Sequence, residues 1–161
     1  MRAENKLKIK MSTSEKTTGI IEDLIEINND RVAGFEKAIE DINDENIDLK
    51  TLFEGYAQQS RKNVQELAAI AGSAPHLEDD KSVSGALHRV WIDVKSLFGG
   101  SDRASILSEA ERGEDAIKKA YHDALADNQL PFDAVEIVNR QSQDINAAHD
   151  RIKALRDTAK A

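Results

Sequence analysis

The sequence predicts an all-α protein, a four-helix bundle carrying one additional short helix. Three observations lead there. Apolar residues recur at helical spacing through four long stretches and one shorter one. The breaks between the long stretches are short and rich in capping and turn residues. The composition of the 161 residues is dominated by Ala, Glu, Asp, Lys, Leu and Ile, with two prolines, eight glycines and 4% aromatic side chains, as expected of helices rather than sheets. A chain of this length can bury one independently stable core.

The first helix is expected from Glu15 or Thr18 to Asp41. Ser12 and Glu15 have capping-box spacing, with Thr17 or Thr18 as alternative caps. Its inward stripe is Ile21, Leu24, Asn28, Arg31, Phe35, Ile39 and Ile42. The polar run Asn43 to Asn46 breaks it and caps a second helix, Ile47 to Ala71, whose stripe passes through Leu49, Phe53, Tyr56, Ser60, Asn63 and Leu67. So short a turn makes these helices antiparallel neighbours. Gly72 to Lys81 reads as a true loop. A shorter helix, Ser82 to Phe98, ends at Gly99 and Gly100, after which Ser101 or Asp102 caps a helix over Arg103 to Asn128. That helix packs through Ile106, Ala110, Gly113, Ile117, Tyr121 and Ala124. Pro131 opens the last one, Phe132 to Thr158, through Val135, Val138, Ser142, Ile145, His149 and Ile152. Residues 1–14 are expected to form a disordered tail, and 15–161 the bundle.

Length decides the topology. At ~1.5 Å per residue the long helices span about 36 to 41 Å and the short one about 25 Å. The short helix and the loop before it can carry the chain back along the bundle. The second and fourth helices in sequence, those over Ile47 to Ala71 and Arg103 to Asn128, are then parallel to each other, which is the long-crossover topology of ferritin-like folds.

Charge and composition exclude several classes of function. A formal net charge of -8 argues against nucleic-acid binding, which calls for a basic face. The chain has no cysteine, which removes disulfides, thiolate nucleophiles and Cys-ligated metal clusters. No window reaches the ~18 apolar residues of a membrane span, and MRAENKLKIK lacks the apolar centre of a signal peptide. A soluble, cytoplasmic protein with no membrane and no nucleic-acid partner is expected. Gly-rich phosphate loops, His-Glu-x-x-His and a nucleophile elbow are all missing from the sequence.

Each long stripe is interrupted near its middle by polar residues: Asn28 and Arg31; Gln59, Ser60 and Asn63; Glu114; Gln141, Ser142 and His149. In an up-down bundle these fall at one height, where di-metal bundles hold metals with a Glu from each of two helices and Glu-x-x-His from each of the others. The side chains do not fit that set. Ser60 and Asn63 stand where one such motif would be, and the residue three before His149 is Asn146. Arg31 opposes a dication by about 4 kcal/mol at ~8 Å and an effective dielectric near 20. Pairing of Arg31 with Glu114, with the amides satisfying the rest, is the structural reading. The alternative is a degenerate metal site on Glu114 and His149, aided by Glu36, Glu66 or Glu111, for iron or manganese. No cofactor is expected on the first reading. His88 and Trp91, three apart on one flank of the short helix, suggest either a surface contact or cover for the bundle edge, and a single indole at a helix edge is more often packing than binding site. His76 beside Glu78, Asp79 and Asp80, the solvated His122, and Asp115 with Lys118 or Lys119 read as ordinary surface.

The segments GALHRVWIDVKSLFGG (Gly85 to Gly100), ILSEAERGEDAIKKAYHDAL (Ile106 to Leu125) and AAHDRIKALRD (Ala147 to Asp157) resemble a bacterial family of ferritin-like four-helix-bundle proteins of unknown function. The resemblance extends back to about Thr18. It implies a ferritin-like bundle without an established activity and, through family context, a tie to stress physiology. The residues His88, Trp91, Glu111, Gly113, Glu114 and His149 match the family's motifs, which carry no assigned roles. The chain departs from iron-using ferritins at Ser60, Asn63 and the middle of the first helix, so iron oxidation does not carry over. The expected function is a non-enzymatic binding or assembly module acting on an unknown protein partner or on itself; the rival is a metal-binding redox protein.

Overall fold

The computed structural model describes residues 2–71, 89–91, 93 and 102–160, with side chains from Glu15 onward. These residues form four long helices: α1 (Arg2–Asp41), α2 (Ile47–Ala71), α3 (Arg103–Ala126) and α4 (Phe132–Lys160). Among them no strand occurs. The expected loop Gly72 to Lys81, His76, His88, Gly99, Gly100, Ser101 and most of the short helix lie outside the described residues; Arg89–Trp91 and Asp93 within it are helical.

The polar run after α1 makes a 3-10 turn, Asp44–Asn46, and α2 returns along α1 as its antiparallel neighbour. Asp102 caps α3, its carboxylate accepting from the Ser105 amide at 2.8 Å, as the sequence predicts. Asn128, in the left-handed region at φ 57°, turns the chain after α3; a short amide side chain tolerates that conformation better than most. The carbonyl of Pro131 accepts the first helical bond of α4 from Val135 at 2.9 Å.

Direction follows from cross-helix bonds. Asn28 on α1 reaches Tyr121 on α3, Arg31 reaches Glu114, and Thr17 donates to the Gln129 carbonyl at 2.8 Å, so α1 and α3 are antiparallel. Arg103 at the start of α3 bonds Asn46 and Asp48 at the start of α2, so α2 and α3 are parallel. The fold is therefore two antiparallel helical hairpins laid side by side.

Two details depart from the sequence reading. The backbone is helical from Arg2, so Ser12, Thr17 and Thr18 lie inside α1, and Thr17 bonds across to the α3–α4 turn instead of capping. The stretch before Glu15 contains several good helix formers and no Pro or Gly to stop the helix. At the start of α4, Ala134 is buried while Val135 is exposed, because the small residue faces the neighbouring helices in the first turn.

Of the two readings for Trp91, the structure shows packing and not a surface contact. Trp91 is 1% exposed and is the largest buried side chain. A Cβ built on Gly113 would meet its ring at 2.6 Å and 2.7 Å, and one on Gly34 would overlap the opposite edge. The indole is thus wedged between bare backbone of α1 and α3, one edge of its six-membered ring towards each. Phe35 packs edge-on to it at 5.5 Å between ring centroids and stacks tilted on Phe53 at 4.8 Å. Trp91 lies off the main apolar stripe expected for the short helix, and the glycines that receive it are on other helices.

Candidate functional site

Most of the polar interruptions meet in one hydrogen-bonded layer, while Ser142 and His149 lie along the seam between α3 and α4. Asn28, Arg31, Ser60, Asn63, Glu114, Gln141, Ser142 and His149 are buried, and Gln59 is half-buried. Glu114 accepts two bonds from Arg31, at 2.8 Å from Nε and 2.7 Å from Nη2, in fork-to-fork geometry. Arg31 Nη1 also donates to Gln59 Oε1 at 2.7 Å and to the Ser60 hydroxyl at 2.9 Å. The guanidinium lies against the Tyr56 and Phe35 rings, 5.4 and 5.5 Å from their centroids, where cation–π attraction replaces some of the lost hydration.

From Ser60 the network continues across the bundle. The Ser60 hydroxyl and the Asn63 amide both donate to Asn28 Oδ1, and Asn28 Nδ2 donates to the Tyr121 hydroxyl. Tyr121 in turn donates to Gln141 Oε1, whose amide donates to Glu66. All four long helices contribute. Burial pushes the Glu66 carboxyl up, but the bonds from Gln141 and Arg140 more than offset it and hold it below its ordinary value.

Burial likewise pushes the Tyr121 phenol far above the usual tyrosine range, opposed in part by its bond with Asn28. For an acid whose folded pKa is raised, the unfolded chain ionises first, so the associated stability is complete below pH ~10 and is lost as pH rises beyond it. Replacing Tyr121 with Phe should cost about 1–2 kcal/mol near pH 7, by leaving Asn28 and Gln141 short of a partner. It should also flatten the alkaline loss of stability. Urea titrations at several pH values between 7 and 11 check both, and an unchanged alkaline slope would refute the assignment.

The carboxylates proposed as metal ligands do not converge. Both Glu114 oxygens face Arg31, and Glu36 is an exposed partner of Arg61. Glu111 and His149 do come together, at the seam between α3 and α4, where Asp115 joins them. His149 Nε2 stands 2.6 Å from Asp115 Oδ1 and 3.6 Å from Glu111 Oε2, while its Nδ1 lies 3.1 Å from Asp150 Oδ1 in hydrogen-bonding geometry. That bond holds the Asp150 carboxyl below the usual range. The other Glu111 oxygen, Oε1, is paired with Arg156. Asp115 was missed as a site residue because its spacing from Lys118 and Lys119 suggests a surface ion pair. Its i,i+4 relation to Glu111 was the available signal, and it gains meaning only when His149 arrives from another helix. Ser142 lies two turns away on the same seam, lining a shallow groove with Lys118, His122 and Asn146.

No helix among the described residues is long and apolar enough to cross a membrane. Residues 16–127 match the family model described as "Domain of unknown function (DUF2383)", a span that runs from within α1 to the end of α3. No curated protein matches the chain.

Proposed function

The chain belongs to the DUF2383 family of unknown function, and from that premise we propose that it is a ferritin-like helical bundle working as a binding or assembly module, without a catalytic centre at mid-bundle. The supporting observation is the Arg31–Glu114 pair. It fills the height at which di-metal bundles place their ions, and it engages both oxygens of the one fully buried carboxylate found there. A guanidinium in that position opposes a divalent ion by about 4 kcal/mol at ~8 Å. Asn28, Gln59, Ser60, Asn63, Tyr121 and Gln141, the amides and hydroxyls of the layer, are engaged with one another or with Arg31 and Glu66, which suits a structural role. For assembly, the support lies at the start of α4, where Phe132 (76% exposed) and Val135 (39%) offer apolar surface near the α3–α4 turn.

Two measurements on the full chain test this reading. Aerobic oxidation of ferrous iron should run no faster with the protein than in buffer. Acceleration that disappears in Glu114→Gln would replace the proposal with a mid-bundle redox centre. Sedimentation velocity across a wide concentration range should show association that weakens in Phe132→Ser; a monomer at every concentration would remove self-assembly and leave binding to another protein.

A further inference from the structure

We propose that Glu111 and Asp115 of α3 and His149 of α4 form a mononuclear site for a divalent first-row transition ion such as Zn2+, at the seam between the two helices and separate from the mid-bundle layer. Three potential ligand atoms, one from each side chain, lie within 4.8 Å of one another. An acidic cluster alone would mean little on a chain of this charge. The informative group is His149, whose side chain is 7% exposed and whose buried Nε2 has no hydrogen-bond partner.

The protonation logic follows from Asp150. A carboxylate can only accept, so the bond between His149 Nδ1 and Asp150 Oδ1 places a proton on Nδ1. In the neutral ring, Nε2 then carries a lone pair beside two carboxylates. Asp115 Oδ1 is only 2.6 Å away, yet it lies off the line an Nε2–H would take, so a proton there forms no hydrogen bond. Three electron-pair donors brought this close call for a cation between them. The Asp150–His149 contact is also the outer interaction that metal-bound imidazoles use to fix their tautomer and raise their basicity.

Glu111 is arranged to serve such an ion without giving up its structural bond. Arg156 holds Oε1, and Oε2 faces His149 at 3.6 Å. Ligands at about 2.0–2.2 Å from a tetrahedral Zn2+ stand roughly 3.4 Å apart, so the Glu111–His149 pair already has the spacing and Asp115 would swing out slightly. Its side chain is 61% exposed, which leaves it room to adjust and leaves solvent to supply the remaining ligand. One imidazole and two carboxylates favour Zn2+, Co2+ or Mn2+ over Mg2+ or Ca2+, which prefer all-oxygen shells.

The test is titration of the metal-free full chain with Zn2+ by calorimetry, with Co2+ as a spectroscopic probe of coordination. The expected result is about one ion per chain, an intense visible Co2+ spectrum typical of low coordination number, and a melting temperature raised by Zn2+. His149→Ala should abolish all three. Asp115→Asn, at an exposed position that should leave the fold intact, should weaken binding more than Asp150→Ala, for which about 10–100-fold is expected. His122→Ala and His76→Ala should leave it unchanged. Stoichiometric binding that survives both His149→Ala and Asp115→Asn, or wild-type binding no tighter than that of His149→Ala, overturns the proposal.

Discussion

Replacing Glu114 with Ala should destabilise the protein by about 3–5 kcal/mol, because it strands a fully buried guanidinium that no water can reach. For a chain of this size that is a fall of roughly 10–15 °C in melting temperature. The loss would measure the isolation of Arg31 more than the strength of the bond. Folding has already removed both charges from water, so the attraction between them largely offsets a desolvation cost and adds little net stability. The double replacement Arg31→Met, Glu114→Leu should therefore recover most of the loss. Ser60 keeps its bond to Asn28, and the half-buried Gln59 can turn towards solvent. Thermal unfolding followed by far-UV circular dichroism for the two single variants and the double one closes the cycle. A double variant no more stable than the less stable single would show that the pair stabilises the fold outright.

The second large effect is expected at Trp91. Truncation to Ala should cost about 3–5 kcal/mol through the cavity it leaves. More telling is Gly113→Ala. In a helix interior that change ordinarily stabilises by about 1 kcal/mol through propensity. Here the new methyl would stand 2.6 Å from the indole, and overpacking of a rigid ring costs about 1–3 kcal/mol. The clash should win and the variant should be less stable than wild type. In a Trp91→Ala background the obstacle is gone, so the same substitution should become stabilising. Chemical denaturation of the four proteins decides it, and the idea fails if Gly113→Ala has the same sign in both backgrounds.

These two sites show what a sequence can and cannot disclose. The helices were legible because Ile21, Leu24, Phe35, Leu49, Phe53 and Leu67 repeat at the period that buries one face. The polar layer was legible for the same reason, since Asn28, Arg31, Ser60, Asn63 and Glu114 occupy positions where that period demands apolar residues. Even the Arg31–Glu114 partnership could be inferred, there being one acid and one base at that height. What stayed hidden depends on two helices at once. Gly34 and Gly113 are 79 positions apart in sequence, and nothing local to either says that an indole fits between them. Tyr121 looked like one more core residue, although its hydroxyl joins the Asn28 half of the network to the Gln141 half. Asp115 looked like surface until His149 was placed against it.

Trp91 is the only tryptophan in the chain, and its position gives it a second significance. Its ring touches α1 through Gly34 and α3 through Gly113, one helix from each hairpin. Intrinsic fluorescence excited at the indole band therefore reports on the joint between the two halves of the molecule, and circular dichroism reports on all of the helices at once. Coincidence of the two transitions is the signature of a single cooperative unit. An emission change that precedes the loss of ellipticity would mean that the hairpins separate before either one unwinds.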